Sequence, residues 1–174
     1  MSESANVRLP VSADAHERER SYADVALRIG GLLDGETDWI AALSSVVAEL
    51  KAAFAYFDWV GFYRLAEPGC LVVGPYQGGH GCLRIPLGRG VCGAAARTRQ
   101  TQLVPDVTAC VDHIACSSST RSEIVVPLVT PNGRLLGVLD VDSDTADAFD
   151  RADQEGLEAI AADLARRFQD QHPL

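Results

Sequence analysis

Glu123-Ile-Val-Val-Pro-Leu-Val129 and Leu135-Leu-Gly-Val-Leu-Asp-Val-Asp142, joined through Pro131-Asn-Gly133, form the stretch whose reading decides the fold. Two runs rich in Val, Ile and Leu on either side of an Asn-Gly pair predict antiparallel strands closed by a tight hairpin. Upstream, Trp59-Val-Gly-Phe-Tyr-Arg-Leu65 and Cys70-Leu-Val-Val73 read as a second hairpin, turning at Ala66-Glu-Pro-Gly69. Gly81 to Pro86 and Thr101 to Val104 supply further short strands. Between them Gly88-Arg-Gly90 leads into a short helix from Val91 to Arg97.

The flanks carry a helical period instead. Tyr22, Val25, Ile29 and Leu32 recur at helix spacing within Glu17 to Leu33, and Gly35 closes that segment. A second helix runs from about Asp38, with Thr37 placed to cap it and a stripe of Trp39, Leu43, Val46, Val47, Leu50 and Phe54. A last helix starts near Asp150 and carries Leu157, Ile160, Ala161, Leu164 and Phe168 on one face. Two helices, about six antiparallel strands and a final helix give an α+β single domain, with helices packed on one face of the sheet. The other face must be covered by loops, and Pro86 to Ser119 is the only stretch long enough. Long covering loops are where binding sites sit. Residues 1–15 are polar and read as a flexible N-terminal tail, leaving residues 16–174 as the domain.

A chain of 174 residues buries roughly two-thirds of its unfolded surface and needs no metal or disulfide to fold. Its net charge of −9 argues against nucleic acid or an anionic membrane as partner, because both need a positive field. No run approaches the length of a membrane-spanning helix, and Met1 to Glu19 holds no signal-peptide core. The five cysteines are an odd number, which argues against a fully paired secreted framework and for a reducing, cytoplasmic setting.

The chemistry is concentrated in three cysteines and three acids. Cys116 lies in a polar loop beside His113 and Ser117 to Ser119, where a thiol can be exposed; a half-buried loop cysteine without chemistry is the plain alternative. Cys82 falls on a strand and Cys92 opens a helix, where the Gly88-Arg89-Gly90 approach would aim backbone N–H groups at the sulfur and lower its pKa. Close packing of helix on sheet is the other reading of Cys92. Asp140 and Asp142 are two apart on a strand and so share a face, which the alternation extends to Leu136 and Val138. Glu123, opening the preceding strand, lies close across the hairpin. Crowded acids can leave one protonated near neutral pH and able to donate; a solvated strand end is the alternative. Trp59 and Tyr63, four apart on one face, wall a pocket or pack in a core. His80-x-Cys82 with His113-x-x-Cys116 forms four ligands that zinc would accept.

From Trp59 to about Phe149 the chain resembles the free methionine-(R)-sulfoxide reductases, single-domain enzymes of the GAF fold. The matching stretches are Trp59-Val-Gly-Phe-Tyr63, Gly74-Pro-Tyr-Gln-Gly78, Gly88-Arg-Gly-Val-Cys-Gly93, Val104-Pro-Asp-Val107, His113-Ile-Ala-Cys116, Ser122-Glu-Ile-Val-Val-Pro-Leu128 and Leu139-Asp-Val-Asp-Ser143. The resemblance implies that Cys116 attacks the sulfoxide sulfur, that Cys82 is the main resolving cysteine and that Cys92 is a third thiol able to form a disulfide. It implies that Glu123, Asp140 and Asp142 bind substrate and handle protons, and that Trp59 and Tyr63 wall the pocket. It further implies a homodimer, recycling by thioredoxin, and no cofactor. Ser117 departs from the family, which commonly has Asp after the attacking cysteine. Two rivals stand beside this reading: a GAF-type ligand or redox sensor without turnover, and a zinc-binding His/Cys protein.

Overall fold

A computed structural model describes residues 8–109 and 118–171. Helix α1 spans Ala15–Leu32 and α2 Trp39–Ala53. Strands β1 (Trp59–Glu67), β2 (Cys70–Gln77) and β3 (Arg84–Pro86) follow, then α3 (Gly90–Thr98) and β4 (Gln102–Val104). Strands β5 (Ser122–Val129) and β6 (Leu135–Ser143) and helix α4 (Arg151–Arg167) complete the described elements. All neighbours in the sheet are antiparallel, in the order β3-β2-β1-β6-β5-β4. The decisive hairpin is therefore β5–β6, as expected, and β1 lies against its outer side.

Aspartates start the three long helices. Asp14 and Glu17 form a capping box on α1, and Asp150 and Asp153 form one on α4. The cap of α2 is Asp38, whose Oδ1 accepts from the Ala41 N–H at 2.8 Å, one residue later than the expected Thr37. Strand β2 runs four residues past Val73 because a bulge absorbs Gly74-Pro75: Gly61 pairs with Tyr76, but Tyr63 pairs with Val73. Proline lacks the ladder N–H, so pairing resumes only beyond it.

The sheet separates two cores. On one face Val60, Phe62, Ile124, Val126, Leu139 and Val141 meet Val25 and Ile29 of α1, Leu43, Val46 and Leu50 of α2, and Leu157, Ile160 and Leu164 of α4. On the other, Trp59, Tyr63, Leu71, Ile85, Val125 and Val138 pack beneath Val91, Cys92, Ala95 and Ala96 of α3. Helix α3 thus belongs to the long covering stretch that closes the second face. Leu136 does not share the face of Val138 and the acids, as simple alternation implied; it packs with the helices. Pairing steps from Leu128–Gly137 to Val129–Leu135, so Leu136 is the extra residue of a bulge that resets the alternation.

Within the stretch read as a tail, residues 8–14 are fastened to the core. Leu9 bridges to Phe54 by hydrogen bonds with Ala53 and Ala55 of 2.7 and 2.8 Å, and Leu9 and Val11 pack on the helix-side core. Residues 1–7 lie outside the described residues. Among the described residues no helix is long and apolar enough to cross a membrane.

Candidate active site

Strand register assembles the site on the α3 face. Asp142 of β6 pairs with Trp59 on one side and Glu123 on the other; Asp140 pairs with Gly61 and Val125. Side chains directly opposite across a sheet lie within contact, so two rows of three strands bring the aromatics and acids into one patch. Gly61 makes room for it: a Cβ there would lie 2.3 Å from that of Tyr76 and 2.7 Å from the Trp59 ring. The Trp59 indole therefore lies across the strand, stacked on Tyr63 at 5.7 Å and on Tyr76 at 5.3 Å between ring centroids. Its Nε1 donates to the Gly79 carbonyl at 3.1 Å. Tyr76 and Gly61 were not singled out from sequence, because it is the bulge at Gly74-Pro75 that sets Tyr76 opposite Gly61.

Two of the three acids are buried and Asp142 is half-buried. Glu123 and Asp140 are each 5% exposed, and one ligand-capable atom each of Cys92, Glu123 and Asp140 lies within 4.8 Å of the others. The Cys92 thiol donates to Asp140 Oδ2 at 3.3 Å, while Asp140 Oδ1 has no hydrogen-bond partner among the described residues. Burial pushes the Asp140 carboxyl up to about 7, against hydrogen bonds from Cys92 and Glu123 that pull it back. Asp142 is also held well above the ordinary carboxylate range, by burial first and then by Asp140, Asp144 and Asp58. Burial and the neighbouring Asp140, Cys92 and Asp142 raise the Tyr63 phenol, which accepts a hydrogen bond from the Cys82 backbone N–H.

Cys92 follows the packing reading and not the thiolate one. Burial, Asp140 and Glu123 drive its thiol well above the usual value, so the helix N-terminus does not make it a thiolate. Cys82 lies just before β3, not on a strand as expected, because β3 begins only at Arg84; it is half-buried against the same core and held in a disulfide, whereas Cys70 and Cys92 carry free thiols. Cys116, His113, Cys110 and Ser117 lie outside the described residues. In this form Cys82 offers no thiolate to a metal, which removes one of the four ligands of the zinc reading. The three buried groups Cys92, Glu123 and Asp140 are the only set of metal-ligating side chains brought together among the described residues.

A cavity of about 230 Å³ opens beside this patch, lined by Asp58, Trp59, His80, Ser119, Thr120 and Asp142. It suits a small molecule rather than a polymer. Asp58 Oδ2 accepts from the Asp144 N–H at 2.8 Å and the Ser143 hydroxyl at 3.3 Å, fixing the end of β6 beside the cavity. A larger cleft of about 540 Å³ lies elsewhere, among Arg99, Thr101, Pro127 and Glu158. It holds no thiol, and Thr101 and Gln154 already donate to its Glu158 carboxylate.

The family model described as GAF domain matches residues 38–168. A GAF domain-containing protein A of Dictyostelium discoideum is 48% identical over 143 residues, covering 82% of this chain and 89% of its own. The free methionine-R-sulfoxide reductase of Escherichia coli is 43% identical over 145 residues, covering 83% of this chain and 87% of its own. The X-ray structure of free methionine-R-sulfoxide reductase from Neisseria meningitidis in complex with its substrate superposes with a TM-score of 0.83 at 44% identity, over 94% of this chain and 96% of that one.

Proposed function

The chain belongs to the free methionine-R-sulfoxide reductases of the GAF-domain family, and on that premise we propose that it reduces free methionine (R)-sulfoxide to methionine in the pocket beside Trp59 and Tyr63. The observation that carries the reading is a co-location on one sheet face: a disulfide-forming cysteine, Cys82, packs on the core that holds Trp59, Tyr63 and Cys92, and Cys92 in turn clusters with the buried acids Glu123 and Asp140. Thiol-dependent sulfoxide reduction needs those groups together.

In this account the Cys116 thiolate attacks the sulfoxide sulfur, and an acid among Glu123, Asp140 and Asp142 delivers a proton to the oxygen. The attack joins the two sulfurs in a protonated adduct; its oxygen then passes to the Cys116 sulfur as the sulfur–sulfur bond and the substrate's sulfur–oxygen bond break, so that methionine leaves and Cys116 carries a sulfenic acid. Cys82 then attacks that sulfur, water leaves, and a Cys82–Cys116 disulfide remains for a thioredoxin dithiol to reduce. Asp140, its proton affinity near neutrality, suits the donor's role. The remaining carboxylates supply the negative partner that a free ammonium group needs. The protein is a cytoplasmic homodimer in this reading; a solution mass near 18.6 kDa rather than twice that would exclude the dimer.

Cys116→Ser should abolish reduction, because hydroxyl oxygen cannot replace the thiolate. Cys82→Ser should spare the first turnover and impair recycling. A fully active Cys116→Ser protein would overturn the assignment. A sensor without turnover is the outcome if the ligand binds and is never consumed.

A further inference from the structure

We propose that Cys92 is a positioning residue rather than a disulfide-forming thiol: its S–H holds Asp140 by Oδ2 and leaves Oδ1 turned to the substrate. The inference rests on the functional reading above and deepens it at the same site.

The geometry carries it. Cys92 is 3% exposed, its sulfur lies 3.3 Å from Asp140 Oδ2, and the other Asp140 oxygen is unpartnered among the described residues. Helix α3 is seated tightly: a Cβ on Gly93 would lie 2.9 Å from the carbonyl oxygens of both Pro86 and Leu87. Swinging Cys92 out to meet another sulfur would unseat that helix. The described titratable groups facing Cys92 are acids and a phenol: Asp140 and Asp142 from β6, Glu123 from β5 and Tyr63 from β1. They and the burial oppose the thiolate, which is the form that attacks a sulfenic acid or a disulfide. A thiol kept as S–H in such a place donates a hydrogen bond.

The test compares Cys92→Ser, which keeps a donor, with Cys92→Val, which fills the same space without one. Single-turnover reduction of the R epimer should fall about tenfold in Cys92→Val and stay within about threefold of wild type in Cys92→Ser, the worth of one hydrogen bond to a carboxyl group. The pH profile should move in the valine variant alone, and dithiol-driven turnover should track the single-turnover rate in both. Equal impairment of recycling in both variants with an intact first turnover, or a Cys92-containing disulfide peptide accumulating after substrate, would overturn the proposal. So would two variants indistinguishable from wild type.

A second readout does not depend on activity. The infrared S–H band that disappears in Cys92→Val should lie at a hydrogen-bonded frequency and move toward that of a free thiol in Asp140→Ala. A band unmoved by that substitution defeats the proposal even if no sulfoxide is ever reduced; a protein that reduces neither epimer but shows the shift defeats only the functional reading.

Discussion

Asp140 shows how far a single residue can be read. Its shared face with Asp142 and Val138 followed from strand alternation alone, and Glu123 followed from the hairpin. Leu136 did not, because a bulge inserts one residue and no local signal marks it. Of the two readings of Cys92, packing prevails over the thiolate: helix N-termini favour thiolates, but burial first and then Asp140, Glu123 and Asp142 of two other strands outweigh that preference, and their approach is tertiary. Asp140 also yields a prediction with a definite sign. Its folded-state pKa is raised to about 7, so the stability contribution of its protonated form is complete below the unfolded carboxylate range and is lost as pH rises through about 7. Asp140→Asn, neutral at every pH, should therefore gain thermal stability over wild type between pH 4 and pH 8, on the order of a few kcal/mol at the alkaline end. A stability difference that does not change with pH would remove the burial argument. If Asp140 is the donor, the wild-type rate should fall over the same rise through pH 7.

At the scale of elements, the three long helices were legible because their apolar positions repeat and aspartates start them. What joins them was not. Asp153, in the first turn of α4, is fully buried, accepts from the hydroxyls of Tyr22 at 2.9 Å and Tyr56 at 2.6 Å, and pairs with Arg18 of α1. Arg18 also donates to the carbonyls of Ala148 at 2.9 Å and Val11 at 2.7 Å and lies over the Tyr56 ring. No periodicity or spacing predicts an ion pair between residues 135 positions apart. Asp153→Ala would leave a buried guanidinium without its carboxylate and should cost about 3–5 kcal/mol, read as a lower urea midpoint. A loss below about 1 kcal/mol, the range of surface pairs, would mean that water reaches Arg18.

For the whole molecule, the division of labour is between two sheet faces: one is sealed by α1, α2 and α4, and the other carries α3, the aromatics and the acids. That layout was visible in the sequence as helices at the ends and one long stretch, residues 86–119, left to cover a face. The positions that the resemblance assigns to attack and resolution, Cys116 and Cys82, belong to that stretch and to the loop before it, where sequence alone signals residue type but not distance. Resemblance supplied those roles, and chemistry must test them. The most direct test is chirally resolved consumption of racemic free methionine sulfoxide by the reduced protein, with a dithiol as reductant. Loss of the R epimer alone, with stoichiometric methionine and no turnover in Cys116→Ser, is the predicted result. If neither epimer is consumed by the reduced, folded protein, or if the S epimer falls equally fast, the account of this chain as a free methionine-(R)-sulfoxide reductase is contradicted.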